Sequence, residues 1–406
     1  MKVLKKILKI LLSLLIGIAI GAGGVMLILW LIGDVGGSDE SAGSGFDIVT
    51  LLLSIGAVVI SLVVALIIHL VLHEAGHLVM GLLTGYRFLS FRVFHLMLAK
   101  TDEGLCLKRY HVAGTGGQCL LDLPEDQDVE TAPWFWYNAG GVLMNILITA
   151  LSIIALRIFD FGIAGMSFFL MMAFVGLYLT LVNGIPMCVN GVSNDGHNIL
   201  SLWRHPEQKR FFVRLLQVTG KQSKGLRPQE MPREWFEDNP IDDKSPLFEI
   251  LNRISFMAFL EDTERYEEAR QVAEELASLG NRLPLLYKME IGGEHVLLEL
   301  LTASRKNVVS RLWTKKLEKY TLVNSKYSPM KCAVLHAYAL LHDHDTEKAD
   351  GYKQQLESHL QDYAMPGEAR TAITMVEAAM AKWNKMEALK REIEDSSTQK
   401  GVLNLF

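Results

Sequence analysis

The order of apolar and polar positions divides the chain before any single residue is considered. Four long apolar runs, roughly Ile10 to Ile32, Ile48 to Met80, Trp134 to Ile158 and Met166 to Ile185, fill the first half. Each is long enough to cross a hydrocarbon core, which takes about 20 helical residues. Between the second and third runs, "YRFLSFRVFHLML" and "LCLKRYHV" flank a turn near "TDEG" and partly alternate, which predicts a β-hairpin in the loop from Tyr86 to Pro133. From Leu200 to about Ser245 the chain is polar and broken by Pro206, Pro228, Pro232 and Pro240, the pattern of a linker with short helices. Beyond it the apolar positions recur at helical spacing. The segment starting at Leu247 reads as two helices joined at Glu261 to Thr263, with Tyr266 and Ala269 opening the second, and the segment around Cys332 repeats that plan.

These elements predict an all-α integral membrane protein. Four transmembrane helices with a cytoplasmic β-hairpin loop form a membrane-embedded domain at 1–200. A linker at 201–245 leads to a cytoplasmic helical domain at 246–406, tetratricopeptide-like in plan, with a generic α-bundle as the plainer alternative. The first run follows Lys2, Lys5, Lys6 and Lys9, as in a secretory signal. Its apolar core is too long for one, however, and Gly21 to Gly24 fall mid-run instead of at a cleavage site, so it is read as an uncleaved span.

Charge adds orientation. Residues 1–200 hold 10 Lys and Arg against 14 Asp and Glu, whereas 201–406 hold 30 against 31. The loop after the first run carries Asp34, Asp39, Glu40 and Asp47 with no basic residue, while the loop after the second carries Arg87, Arg92, Lys100, Lys108 and Arg109. The positive-inside rule then puts both termini and the Tyr86–Pro133 loop in the cytoplasm of a multi-pass cell-membrane protein. A net charge of -5 with no basic block gives no nucleic-acid surface. Cys106, Cys119, Cys188 and Cys332 form no CxxC pair and read as reduced thiols, not a cysteine zinc site.

The candidate chemistry sits in the second run. "HLVLHEAGH", from His69 to His77, places three imidazoles and a carboxylate in an apolar helix. Ionisable groups in a span are costly and by default functional. His73 and His77, four apart, project from one helix face and can share a metal, with Glu74 between them in the position of a general base, the H-E-x-x-H arrangement of zinc hydrolases. His69 lies about 80° round the helix from His77 and is read as a bundle-facing histidine bonded to a neighbouring helix, with a supporting or proton-relay role as the alternative. A third metal ligand has to come from elsewhere, and "NGIPMCVNGVSNDGHN", at the end of the fourth run, offers Asp195, with His197 as the substitute. "HDHD" at His342 to Asp345 is read as a solvated turn, and "GTGGQ" at Gly114 to Gln118, lacking the Lys-Ser/Thr of a phosphate loop, as a flexible one.

Together, "HEAGH", the later Asn-x-x-Pro…Asp-Gly segment from Asn183 and "NAGGVLMN" around Asn145 resemble, in order, the motifs of the site-2 protease family of intramembrane zinc metalloproteases. The likeness covers about residues 50 to 200. It departs at Gly140-Gly141, where the family usually has Gly-Pro, and in the longer spacing from Pro186 to Asp195. The resemblance implies His73, His77 and Asp195 as zinc ligands, Glu74 as the general base, and Asn145 and Asn183 on the substrate or oxyanion side. It implies an endopeptidase cutting a transmembrane protein or signal-peptide-like substrate near the cytoplasmic face of the lipid bilayer. The helical domain would bind a cytoplasmic protein partner. The rival expectation is a non-catalytic membrane scaffold in which that domain does the work.

Overall fold

In the computed structural model, residues 48–101, 104–109, 116–189, 192–303, 305–360 and 363–403 are described. The described residues are mostly helical, with a small four-stranded antiparallel sheet and a two-stranded ribbon. Among the described residues three helices are long and apolar enough to cross a membrane. They are α1 (Ile48–Leu83), α2 (Trp134–Ile158) and α3 (Ile163–Gly184). The run from Ile10 to Ile32, expected as a further span, lies outside the described residues.

The chain separates into two compact units. The described part of the first comprises α1 up to Gly76 and residues 141–185 of α2 and α3. Its polarity is inverted relative to a water-soluble fold. Leu53, Ile60, Leu147 and Ile154 are exposed, while His69, Asn145 and Ser152 are buried. Apolar side chains outward and polar ones inward suit helices solvated by lipid, where a polar group has only protein to bond. Ala65, Met171, Met172 and Val175 pack at the centre, with Ile148 against them. Gly176 allows the closest approach: a Cβ there would come within 2.1 Å of Thr149 Oγ1 and 2.5 Å of the His69 ring.

The second unit comprises residues 77–140 and 186 onward. The expected hairpin is here a four-stranded antiparallel sheet in the order β3-β2-β1-β4, with β1 (Arg87–Val93), β2 (Leu96–Thr101), β3 (Gly104–Arg109) and β4 (Gly117–Asp122). The run read as one strand folds back on itself at Phe94-His95, a two-residue turn that needs positive φ at its first position, and Phe94 supplies it at 53°. Gly117 and Gln118, assigned to a turn from sequence, instead open β4 against β1. Arg92, counted among the loop's basic charges, is buried and donates to the Phe94 and Gly117 carbonyls, tying that turn to the sheet.

Residues 201–245 pack as part of this unit. α4 (Asp195–Arg204) is followed by α5 (Lys209–Ser223), whose Phe211, Phe212, Val213 and Leu216 join Tyr86, Leu121 and Leu123 in a core that also takes in Leu202 of α4 and Phe248 of α6 (Leu247–Asp262). Gly220 lets α5 lie against Asp122 of β4, and Lys224 pairs with that carboxylate at 2.6 Å. The prolines that suggested a linker set turns between packed elements: Pro228 begins a short 3-10 turn and is itself buried.

The rest is helical, namely α7 (Tyr266–Ser278), α8 (Leu285–Leu301), α9 (Lys306–Leu312), α10 (Lys315–Asn324), α11 (Pro329–Ala337), a π turn at Tyr338–His342, α12 (Thr346–Ser358) and α13 (Pro366–Leu403). Two helix hairpins turn alike. Glu264 and His344 take left-handed φ values of 60° and 57°, and the following helices each bury an alanine, Ala269 and Ala349. "HDHD" is indeed a turn, with Asp345 capping α12 by accepting from the Lys348 N–H.

The first hairpin turns later than expected. Glu261 and Asp262 remain helical and buried, because Asp262 is the counter-ion of Arg227 at 2.7 Å and also accepts from Thr371 Oγ1 and the Gln229 N–H. Removing one partner of a buried ion pair leaves the other charge uncompensated. Asp262→Ala should therefore cost about 3–5 kcal/mol, read by urea-dependent pulse proteolysis of the detergent-solubilised protein. Next to it, burial first and then the nearby Glu294, Asp262 and Glu368 charges hold the Glu261 carboxyl well above the usual range. Its folded-state proton stabilises the domain fully below the unfolded value of 4.5, and that contribution is lost as pH rises toward the folded value. Glu261→Gln, which mimics the protonated acid, should lose less stability between pH 5 and pH 9 than the wild type in the same assay. Parallel pH profiles would refute this.

Candidate metal centre

α1 runs unbroken for 36 residues, about 54 Å at 1.5 Å per residue, and carries His69, His73, Glu74 and His77 in its second half. Exposure of the four is 0%, 9%, 8% and 9%, so all sit inside the protein. His73 and His77 are separated by one turn of a continuous helix, with Glu74 between them.

In the second unit, His77 is fixed from both sides of its ring. Its Nδ1 lies 2.7 Å from the backbone carbonyl of Tyr137, which can only accept, so Nδ1 carries the proton and donates. That sets the tautomer and turns the Nε2 lone pair toward Asp195, whose Oδ2 is 3.6 Å away. Tyr137 is held in turn. Its ring stacks on Tyr86 at 5.1 Å and its hydroxyl donates to the Cys119 carbonyl of β4. Gly81, one turn beyond His77, lets Leu121 of β4 come so close that a Cβ there would sit 2.1 Å from it. The sheet thus braces the end of the motif helix.

Asp195 is the first residue of α4. Asn194 caps that helix by accepting from the His197 N–H at 2.9 Å, and the same oxygen accepts from the Met187 N–H at 3.0 Å. Between them β5 (Cys188–Val189) and β6 (Val192–Ser193) pair as a narrow ribbon. The spacing from Pro186 to Asp195, which looked like a departure, thus includes the paired residues Cys188–Val189 and Val192–Ser193, closed at their base by the bond from Met187 to Asn194. A carboxylate at a helix N-terminus is also favourably placed against the helix dipole.

In the first unit, the amide of Asn145 lies between two histidines, its Nδ2 3.0 Å from His73 Nδ1 and its Oδ1 3.1 Å from His69 Nδ1. His69 Nε2 is 2.9 Å from the Met172 carbonyl. Asn145 is 0% exposed, and both ends of its amide are engaged by these rings. Asn183 donates to the Leu179 carbonyl of its own helix.

One ligand atom each from His73, His77 and Asp195 lies within 4.8 Å of the others, and among the described residues His197 belongs to no such group. Two imidazoles and a carboxylate are a donor set that zinc accepts, with three protein ligands leaving a position for water. A second group, Glu274, His295 and Glu299, meets the same distance test. Its carboxylates are already neutralised: Arg305 bonds Glu299 at 2.7 Å and Glu274 at 3.1 Å, and Arg270 bonds Glu274 at 2.5 Å. It is an ion-pair network holding α7, α8 and the start of α9 together.

No family model, curated protein or solved structure matches this chain. The geometry of the donor set therefore has to be tested directly. Metal content of the purified protein by mass spectrometry should fall from one equivalent to near none in His73→Ala, His77→Ala and Asp195→Ala. His197→Ala should keep its metal; loss in that variant with retention in Asp195→Ala would reverse the ligand choice.

Proposed function

We propose that this protein is an intramembrane zinc endopeptidase of the site-2 protease type. It hydrolyses a peptide bond of a transmembrane or signal-peptide-like substrate near the cytoplasmic face. The observation that carries the reading is the convergence of Asp195 with His73 and His77, the two histidines and the Glu74 between them lying in a helix otherwise apolar enough to span a bilayer.

His73, His77 and Asp195 would hold the metal. When bound, zinc supplies a Lewis acid and brings the pKa of a coordinated water to about 7. Glu74 accepts the proton of the attacking water and returns it to the leaving amine nitrogen, the general acid–base part of the reaction. His77 keeps its Nε2 directed at Asp195 through the bond from Nδ1 to Tyr137, so the ligand need not reorganise during turnover. A helical substrate has its amides already paired and must unwind before cleavage. Among the described residues β3 is the last strand in the sheet order. Strand addition there would stabilise an unwound segment with little demand on its sequence. The orientation supported by the basic residues after α1 leaves both termini cytoplasmic. The helical domain, with its two similarly turned hairpins, would recruit a cytoplasmic protein that selects or gates substrates.

The test is cleavage of model transmembrane peptides by detergent-solubilised protein. Glu74→Gln should retain metal and lose activity by about 10²–10⁴-fold, the usual contribution of a general base. Equal cleavage by both proteins, or a metal-loaded wild type that cleaves nothing, would overturn the assignment.

A further inference from the structure

We infer that His69 is a positioning residue that acts through Asn145 to fix which nitrogen of His73 faces the metal. The inference rests on the reading of His73 as a ligand and goes beyond it, because it assigns a task to two residues that need not touch substrate.

The argument starts at the Met172 carbonyl, which can only accept. His69 Nε2, 2.9 Å from it, therefore carries a proton. If the amide oxygen of Asn145 faces His69, then Nδ1 must carry a proton too, and His69 is an imidazolium with 0% exposure. A buried charge without a counter-ion is costly. In that arrangement the Asn145 N–H also donates to His73 Nδ1, which puts the His73 proton on Nε2 and spoils it as a ligand atom.

A half-turn of the Asn145 amide, which exchanges nitrogen and oxygen at nearly equal distances of 3.0 and 3.1 Å, removes both costs. All three side chains are then neutral. His69 Nε2–H donates to Met172, Asn145 Nδ2–H donates to His69 Nδ1, and His73 Nδ1–H donates to Asn145 Oδ1. His73 presents the lone pair of Nε2, matching His77, whose own Nδ1 donates to Tyr137. The direction of the whole chain is dictated by one backbone carbonyl three residues removed from the metal. Gly176 makes the chain possible, since any Cβ at that position would strike the His69 ring.

The third position of the histidine row thus has a reason that packing alone does not provide. Glutamine can reproduce it: Oε1 accepts from Asn145 where Nδ1 did, and Nε2 donates to Met172. Phenylalanine reproduces the shape and neither bond. The two substitutions separate positioning from packing.

Cobalt(II) titration of the full-length protein in detergent, read by visible absorption and by competition with a chelator, tests this without any substrate. Removing an outer hydrogen-bond partner of a metal-ligating histidine typically costs 10–100-fold in affinity. Asn145→Leu should lose about that much, His69→Phe less but at least several-fold, and His69→Gln should stay close to wild type. The double variant His69→Phe/Asn145→Leu should bind no more weakly than Asn145→Leu alone, because both break one chain. Affinity of His69→Phe equal to wild type, or His69→Gln as weak as His69→Phe, would overturn the positioning role while leaving the metal centre standing. Absence of stoichiometric cobalt in the wild type would overturn the metal centre and the positioning role with it.

Discussion

The structure depends on how three imidazoles are satisfied inside an apolar helix. Each has two ring nitrogens that must find partners where water is scarce, and an unmet polar group in that setting costs several kcal/mol. The solutions differ along the row. His69 uses a backbone carbonyl and an amide, His73 uses the other end of that amide, and His77 uses the Tyr137 carbonyl on one nitrogen and faces Asp195 with the other. Two of the three anchors are backbone carbonyls, groups that side-chain substitution does not remove and that cannot change sign. A polar site built on such anchors has its proton positions decided by the fold.

Much of the second unit serves to hold His77 and Asp195. The sheet braces the end of α1 through Gly81 and Leu121, and it holds Tyr137 through the Cys119 carbonyl. The same core continues into α5 and α6, so the helical domain begins from the surface that supports the site. Asp195 arrives on a helix whose Leu202 is fully buried in that core. A ligand on a packed helix is held more closely than one on a loop, which is what a site of short metal–ligand distances requires.

The strongest periodic and compositional signals were legible in the sequence. The three apolar helices fall within a few residues of the runs that announced them, and the helix hairpins follow the amphipathic pattern. What could not be read were features set by partners distant in the chain. Nothing local distinguishes Phe94 as a turn residue, since its positive φ is imposed by the pairing of β1 with β2 and β4. Glu261 and Asp262 look like the acids of an exposed turn, and only the arrival of Arg227 and Thr371 makes a buried place for Asp262. The segment rich in proline suggested a spacer because prolines end helices; that its phenylalanines would meet the sheet depended on a contact roughly ninety residues away in sequence. At the site, the pairing of His73 with His77 was written in their spacing, whereas the engagement of Asn145 by two histidines was not, because it joins residues more than seventy positions apart.

That last contact changes what the row of histidines means. Two residues at i and i+4 are enough to begin a metal site, so a third at i−4 looks redundant, and by angle it is poorly placed to ligate. Its distance from the proposed metal ligands is what suits it to the positioning task inferred for it. A ligand's tautomer has to be set by a group that does not itself compete for the metal, and that group needs an anchor of fixed polarity beyond it. The Met172 carbonyl supplies the polarity, His69 transmits it past one helical turn, and Asn145 delivers it to His73 Nδ1. The alternative, a single carbonyl placed directly against His73 as Tyr137 is placed against His77, requires a backbone group at the right height on the facing helix. A helical carbonyl keeps a second lone pair beside its ladder bond, which those of Tyr137 and Met172 use to accept from His77 and His69, but at the height of His73 it is the Asn145 side chain of α2 that meets the ring. His73 is thus reached through a side chain where His77 is reached by backbone, and the extra histidine carries the polarity of the Met172 carbonyl to that side chain.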